Sequence, residues 1–233
     1  MSSTNRIELN LAQSDLRAVN SALQKPNGTG EANAFVVRNP AGAHALAVGL
    51  NAPTSVEISG HVGYFCAGMN KSADVTINGN AGQGVAENMM SGRVHVLGDA
   101  SQAAGATAHG GLLIIEGNAA ARCGISLKGA DIVVKGDVGH MSCFMAQAGR
   151  VVVCGDAGDA LGDSLYETRI YVRGEVKSLG ADCIEKDMRE EHLAELRELL
   201  DAAACTNLEA GEFRRYGSAR NLYNFKVENV DAY

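Results

Sequence analysis

Between Val56 and Gly174 the chain repeats one short pattern: apolar, any, apolar, any, glycine. It opens as Val56-Glu57-Ile58-Ser59-Gly60, returns as Val75-Thr76-Ile77-Asn78-Gly79 and Val94-His95-Val96-Leu97-Gly98, and continues through Leu113–Gly117, Ile132–Gly136, Val151–Gly155 and Ile170–Gly174. Alternation of period two predicts a strand with one buried face. The closing glycines, Gly60, Gly79, Gly98, Gly117, Gly136, Gly155 and Gly174, are nineteen residues apart without an insertion. A fixed period near twenty predicts a solenoid, in which each coil buries its apolar face only against its neighbours. A leucine-rich horseshoe would need a leucine and asparagine ladder that is missing. The pattern therefore predicts an all-β fold, a right-handed parallel β-helix of about seven 19-residue coils, whose six steps span about 29 Å at strand spacing.

Two further columns hold small residues. Three positions after the closing glycine come Gly63, Gly82, Ser101, Ala120, Gly139 and Gly158, and thirteen after it Ala73, Gly92, Gly111, Ala130 and Gly149. Both columns read as corners, where positive φ or close backbone approach is needed.

The flanks do not share the period. Arg6–Leu11 alternates like an edge strand. Ser14 is placed to cap a short helix over Asp15–Leu23, whose Leu16, Val19, Ala22 and Leu23 share a face. Lys25–Gly30 reads as a loop, and Ala34–Arg38 and Ala45–Leu50 read as strands around the turn Asn39-Pro40-Ala41-Gly42. Residues 1–54 are thus expected to form a small α/β cap over the first coil, and residues 55–180 the β-helix. Residues 181–233 are expected to form a helix and an extended tail. Asp182 and Glu185 have capping-box spacing for a helix over Glu185–Ala204, with Leu193, Leu196, Leu200 and Ala203 on a face that would close the far end of the rod. The last segment reverses the charge: Phe213, Arg214, Arg215, Tyr216, Arg220, Tyr223 and Phe225 combine arginine with aromatics, as interface cores do, and are the expected partner contacts. A tail folded back on its own rod is the other reading.

Composition narrows the function. Aromatic residues make up 5% of the chain, Trp is absent and Gly numbers 28, so small side chains do the packing. A net charge of −7 argues against a nucleic-acid footprint. No apolar run is long enough to span a membrane and the first residues lack a signal-peptide core, so a cytoplasmic protein is expected. The six cysteines are spread singly, without metal spacing. Cys66 and Cys123 share a column but are three coils, roughly 14 Å, apart. Cys123 and Cys143 are one coil and one column apart, close enough to be neighbours, and reduced, half-buried thiols are expected throughout.

A search for chemistry finds no active site. Gly79-Asn80-Ala81-Gly82-Gln83-Gly84 looks like a phosphate loop but lacks the Gly-Lys-Ser/Thr ending. His44, His61, His95, His109, His140 and His192 show no ligand spacing, and His95 should point away from the interior that Val94 and Val96 face. No serine or cysteine has a placed base. Directly after the closing glycines comes the column His61, Asn80, Asp99, Asn118, Asp137, Asp156, Glu175. Stacking sets its Asp137, Asp156 and Glu175 carboxylates about 5 Å apart, which suits either a weak cation site or solvated Asx turns.

The glycine-cornered repeat in Gly60-His61-Val62-Gly63-Tyr64-Phe65-Cys66-Ala67-Gly68-Met69-Asn70, repeated in Gly136-Asp137-Val138-Gly139, resembles the GXGXG β-helix domain that ends the large subunit of glutamate synthase. With Asn39-Pro40-Ala41-Gly42 at the front and Phe213-Arg214-Arg215-Tyr216-Gly217-Ser218-Ala219-Arg220 near the end, the chain is similar to the free-standing version of that domain. Such subunits occur in split glutamate-synthase-like enzymes, including N-methylglutamate synthase, also called methylamine-glutamate N-methyltransferase. The resemblance implies a non-catalytic scaffold between two partners. One is a glutamine amidotransferase-like subunit. The other is a synthase subunit that carries FMN and an iron–sulfur cluster, the β-helix helping to enclose the ammonia route between them. It implies no catalytic, cofactor-binding or metal residue on this chain. A related domain in the C subunit of formylmethanofuran dehydrogenase is the runner-up. A self-sufficient carbohydrate-binding β-helix is the alternative of another class, though Tyr64, Phe65, Phe144, Tyr166 and Tyr171 share no column.

Overall fold

The structure, a computed structural model, describes residues 6–25 and 33–219. Among the described residues one sheet of eleven strands organises it. The repeat supplies β3 (Thr54–Ser59), β4 (Asp74–Ile77), β5 (Arg93–Val96), β6 (Leu112–Ile115), β7 (Lys128–Val134), β8 (Ala148–Val153) and β9 (Arg169–Val172). They pair in parallel and in repeat register: Val56 with Val75, Val75 with Val94, Val94 with Leu113, Leu113 with Ile132, Ile132 with Val151 and Val151 with Ile170. The parallel β-solenoid expected from the period is the fold observed.

The ladder also runs backwards beyond the repeat. β2 (Asn33–Arg38) pairs in parallel with β3, placing Phe35 beside Val56, and β1 (Arg6–Asn10) pairs in parallel with β2. The first described helix, α1 (Leu16–Gln24), is capped by Asp15, whose Oδ1 accepts the Ala18 amide at 2.8 Å, one residue later than the Ser14 expected. Its Val19 and Leu23 enter the same apolar core as Leu46 and Leu50.

Each coil has a second narrow ladder, formed by the residue two after the closing glycine. Val62, Ala81, Ala100, Ala119, Val138, Ala157 and Val176 bridge in sequence along the rod. The third wall is not β at all. In the six coils that start at Gly60 to Gly155, the fifth, seventh and ninth residues after the glycine all have positive φ, and only four of these eighteen are glycine. The segment expected as a strand over Ala45–Leu50 is the first such wall, with Ala45, Ala47 and Gly49 left-handed. A non-glycine residue in this region costs about 1 kcal/mol. Hydrogen bonds to both neighbouring coils offset that cost. Phe65 and Met69 donate to Gln83 and Glu87 of the next coil at 2.8 Å, while Ala67 between them donates to Leu46 of the preceding coil at 2.9 Å. Its inward side chains, such as Leu46, Cys66, Val85, Ala104 and Cys123, line the core with the strand residues.

The carboxyl-terminal elements differ from expectation. Cys183–Lys186 forms a strand, β10, and the helix α2 starts later and spans Glu190–Ala202. His192 rather than Glu185 reaches back at its start, its Nδ1 accepting the Arg189 amide at 3.1 Å. The helix does not close the end of the rod. It lies on the outer face of the sheet, where Leu196, Leu199, Leu200 and Ala203 pack on Ile114, Val133, Val152 and Tyr171. Those four sheet residues form one outward column, whose earlier members Glu57, Thr76 and His95 are polar and carry no helix. Arg150 anchors α2 to Glu198 and Arg169 to Glu195, at 3.4 and 3.0 Å, and the Tyr171 hydroxyl donates to Glu195. The far end is finished instead by β11 (Arg214–Ser218), which pairs antiparallel with β9 and carries β10 on its other edge.

Candidate functional site

The closing glycines are explained by close approach. A Cβ on Gly79 would stand 2.8 Å from the Gly60 carbonyl carbon, and one on Gly117 would meet the Asp99 side chain and lie 3.0 Å from the Gly98 carbonyl oxygen. Along the later coils these glycines also bond to one another, Gly136 to Gly117 and Gly155 to Gly136 at 3.0 Å. The corner three positions on, at Gly82 and Gly139, is held by the same crowding and not by positive φ, which at the expected corners is found at Gly92, Gly111 and Gly149.

The acidic column is a ladder. Asn80 Oδ1 accepts the Asp99 amide at 2.9 Å, Asp99 Oδ1 the Asn118 amide at 2.7 Å, and Asn118, Asp137 and Asp156 accept the amides of Asp137, Asp156 and Glu175 at 2.8 Å. His61 Nδ1 begins it by accepting from Asn80 at 2.9 Å. Each side chain thus serves the next coil, nineteen residues on, where a local Asx turn was expected. A backbone N–H directed at Asp99, Asp137 and Asp156 offsets the repulsion along the row. Among the described residues no group of three or more His, Cys, Asp or Glu side chains could hold a metal ion.

The residues expected at a partner contact divide. Phe213 is buried in the core beneath α2, and Tyr216 is buried among the solenoid residues. Arg214 and Arg215 are half-buried: Arg214 donates to the Gly174 carbonyl at 2.7 Å, and Arg215 Nε to the Asp187 carbonyl at 3.0 Å. Both line a shallow depression of about 430 Å³ together with Glu185, Lys186, Asp187, Met188 and Phe213. Arg220, Tyr223 and Phe225 lie outside the described residues.

An apolar surface that the sequence did not announce lies on the left-handed wall. Tyr64 is 50% exposed, Met69 56% and Phe65 42%, and Met90 of the next coil is exposed as well. His44 stacks on Tyr64 with ring centroids 4.4 Å apart, and its Nδ1 accepts the Tyr64 amide at 2.8 Å. Phe65 meets Tyr64 edge-on. The same columns carry Met141 and Met145 four coils further on, Met145 being exposed. The signal was available in the alternation of this wall, since the sixth, seventh and tenth positions point in and the fourth, fifth and ninth outward.

All six cysteines are free and buried. Burial pushes the Cys66, Cys123, Cys154 and Cys183 thiols up to about 12, and raises Cys143 well above the ordinary thiol value with help from the nearby Cys123 and Cys183.

These features define a single-chain parallel β-solenoid, sealed on one flank by its own helix and bearing an apolar patch on its left-handed wall. No family model matches the chain. It is 60% identical over 225 residues, covering 97% of this chain and 99% of the relative, to Protein GlxC of Rhizobium meliloti (strain 1021), and it belongs to the family of that protein. Among the described residues no helix is long and apolar enough to cross a membrane.

Proposed function

We propose that the chain is a non-catalytic scaffold subunit of a glutamate-synthase-like complex, N-methylglutamate synthase being the member its ends resemble most. In this reading it links a glutamine amidotransferase subunit to a synthase subunit carrying FMN and an iron–sulfur cluster, and helps to enclose the ammonia route between them. The observation that carries the reading is the patch of Tyr64, Phe65, Met69 and Met90. It is apolar surface held on a rigid hydrogen-bonded wall, as a subunit contact requires. Three of these four residues lie within the coil Gly60–Asn70, which also carries the likeness to the glutamate synthase domain. The reading assigns the flavin and the cluster to a partner. Its chemistry is therefore positional: two active sites held at a fixed separation. The carbohydrate-binding alternative loses Tyr171, which α2 covers.

The test is purification from native cells under gentle conditions, followed by identification of the accompanying chains. The expected result is a yellow-brown complex with an amidotransferase-like and a flavin-bearing chain. It should make glutamate or N-methylglutamate from 2-oxoglutarate with ammonia or methylamine as the amine. A chain that emerges alone, colourless and stable would sink the subunit reading.

A further inference from the structure

The outward column beneath α2 does not end at Tyr171. In the sheet register Tyr171 of β9 lies beside Arg215 of β11, and Arg215 lies directly opposite Lys186 of β10. Two cations are thus neighbours across an antiparallel pair, an arrangement that destabilises a sheet. Among the described residues neither has a carboxylate within 4.0 Å. Arg215 is half-buried, and burial, with Arg189 and Arg169 nearby, lowers its pKa from the ordinary guanidinium value. Its Nε is used by the Asp187 carbonyl at 3.0 Å, while the two terminal nitrogens, the pair whose geometry matches a carboxylate, have no acceptor among the described residues. The Lys186 stem lies over Gly217, where a Cβ would come within 3.6 Å of it, and both cations line the depression of about 430 Å³ at the far end of the rod. β10 is the outer strand of the sheet here, and its Ile184 is exposed.

We propose that Lys186 and Arg215 form a carboxylate-recognition site at the far end of the rod, and that its occupant is an acidic segment of a partner subunit. This rests on the subunit reading above. The fork of Arg215 takes the two oxygens of an Asp or Glu side chain, Lys186 supplies a second positive charge, and Ile184 gives the edge an apolar contact. The like-charge pair is a cost to the isolated chain that binding removes, as sites for charged ligands commonly are.

Lys186→Glu separates function from folding, because it places an acid opposite Arg215 and turns a repulsive pair into an attractive one. The isolated variant should melt no lower than the parent, while its affinity for the partner in the reconstituted complex falls about 10-fold or more. Lys71→Glu, on an exposed position of another coil, should leave affinity unchanged. Equal loss in both variants, or none in Lys186→Glu, overturns the site. A hexaglutamate peptide titrated onto the isolated chain provides a readout that needs no partner. Weak, salt-sensitive binding that Lys186→Glu removes supports the site even if no complex is recovered, and failure of the parent chain to bind overturns it. The same titration on a chain ending at Ala219 distinguishes the source of the carboxylate. Binding that appears only after this truncation means that the chain's own last residues fill the site, and it overturns the partner assignment.

Discussion

Asn20 and Ala47 make a bond that belongs, in every later coil, to the backbone. Asn20 Oδ1 accepts the Ala47 amide at 2.8 Å, just as the Leu46 carbonyl accepts the Ala67 amide one coil on at 2.9 Å. Its Nδ2 donates to the Ala45 carbonyl, and one turn later in α1 Gln24 Nε2 donates to Val48, both at 2.8 Å. A side-chain amide has the donor and acceptor of a peptide group, so α1 substitutes for the coil that is missing below. Asn20→Leu should therefore cost about 2 kcal/mol by leaving the Ala47 amide and Ala45 carbonyl unpaired. Gln24→Leu, at an exposed bond, should cost a few tenths. Urea unfolding of both variants checks the difference, and equal midpoints would refute the substitution.

The closing glycines predict a steric effect. Gly117→Ala sets a methyl against Asp99 and the Gly98 carbonyl, and should destabilise by about 2 kcal/mol. Gly211→Ala, with nothing within 4 Å of its Cβ, is the control and should be neutral within about 0.5 kcal/mol. Thermal melting of the two variants decides.

For the acidic ladder, the acceptor matters and the charge does not. Asp137→Asn keeps an oxygen for the Asp156 amide and should be neutral or slightly stabilising, since it also removes a charge beside Asp156. Asp137→Ala should cost about 1 kcal/mol. If the two variants lose stability alike, the ladder bond is not what holds this column.

His192 gives the carboxyl-terminal half a dependence on pH. Burial, with Arg215 next in weight, holds its pKa below the ordinary 6.5. The unfolded chain therefore binds the proton more readily than the folded one. The stability contributed by neutral His192 is complete above about pH 6.5 and is lost as the pH falls from there through the lower folded value. His192→Gln should shrink the gap between denaturation midpoints measured at about pH 8 and about pH 5.5. A gap of unchanged size would show that other groups set it.

Leu196 lies fully buried between α2 and the sheet. Leu196→Ala should cost about 3 kcal/mol, with amide exchange rising first along α2 and only later in β4 and β5. Uniform exchange over the whole rod would mean that helix and solenoid open as one unit.

The strands were legible because two independent signals, alternation and the closing glycine, agree in every repeat. The left-handed wall was not. Ala45–Leu50 is apolar and small throughout, which suits a buried strand equally well, and with Ala, Met, Arg and Cys at most of the positive-φ positions the glycines among them are too few to mark the conformation. Only inter-coil hydrogen bonding makes that backbone affordable, and it becomes visible once the coils stack. The start of α2 was misplaced because Glu185 and Lys186 suit a helix locally, while their pairing with Tyr216 and Arg215 comes from thirty residues downstream. The site of the helix was readable after all: the change from Glu57, Thr76 and His95 to Ile114, Val133, Val152 and Tyr171 marks where the sheet would need a cover. Two of the residues expected at a partner contact are covered by the chain itself. Phe213 and Tyr216 have the composition of an interface, and the interface they serve is internal.

The interior coils repeat one ladder of bridges nineteen residues apart, with a bulge between Lys128 and Asp131, until Leu161 bridges Leu179, eighteen residues on. The length of the rod is therefore quantised. Removing or duplicating one block of nineteen residues moves whatever is mounted at its two ends by one pitch, about 4.8 Å, and alters neither end fitting. The chain behaves as a ruler whose graduations are written in the sequence.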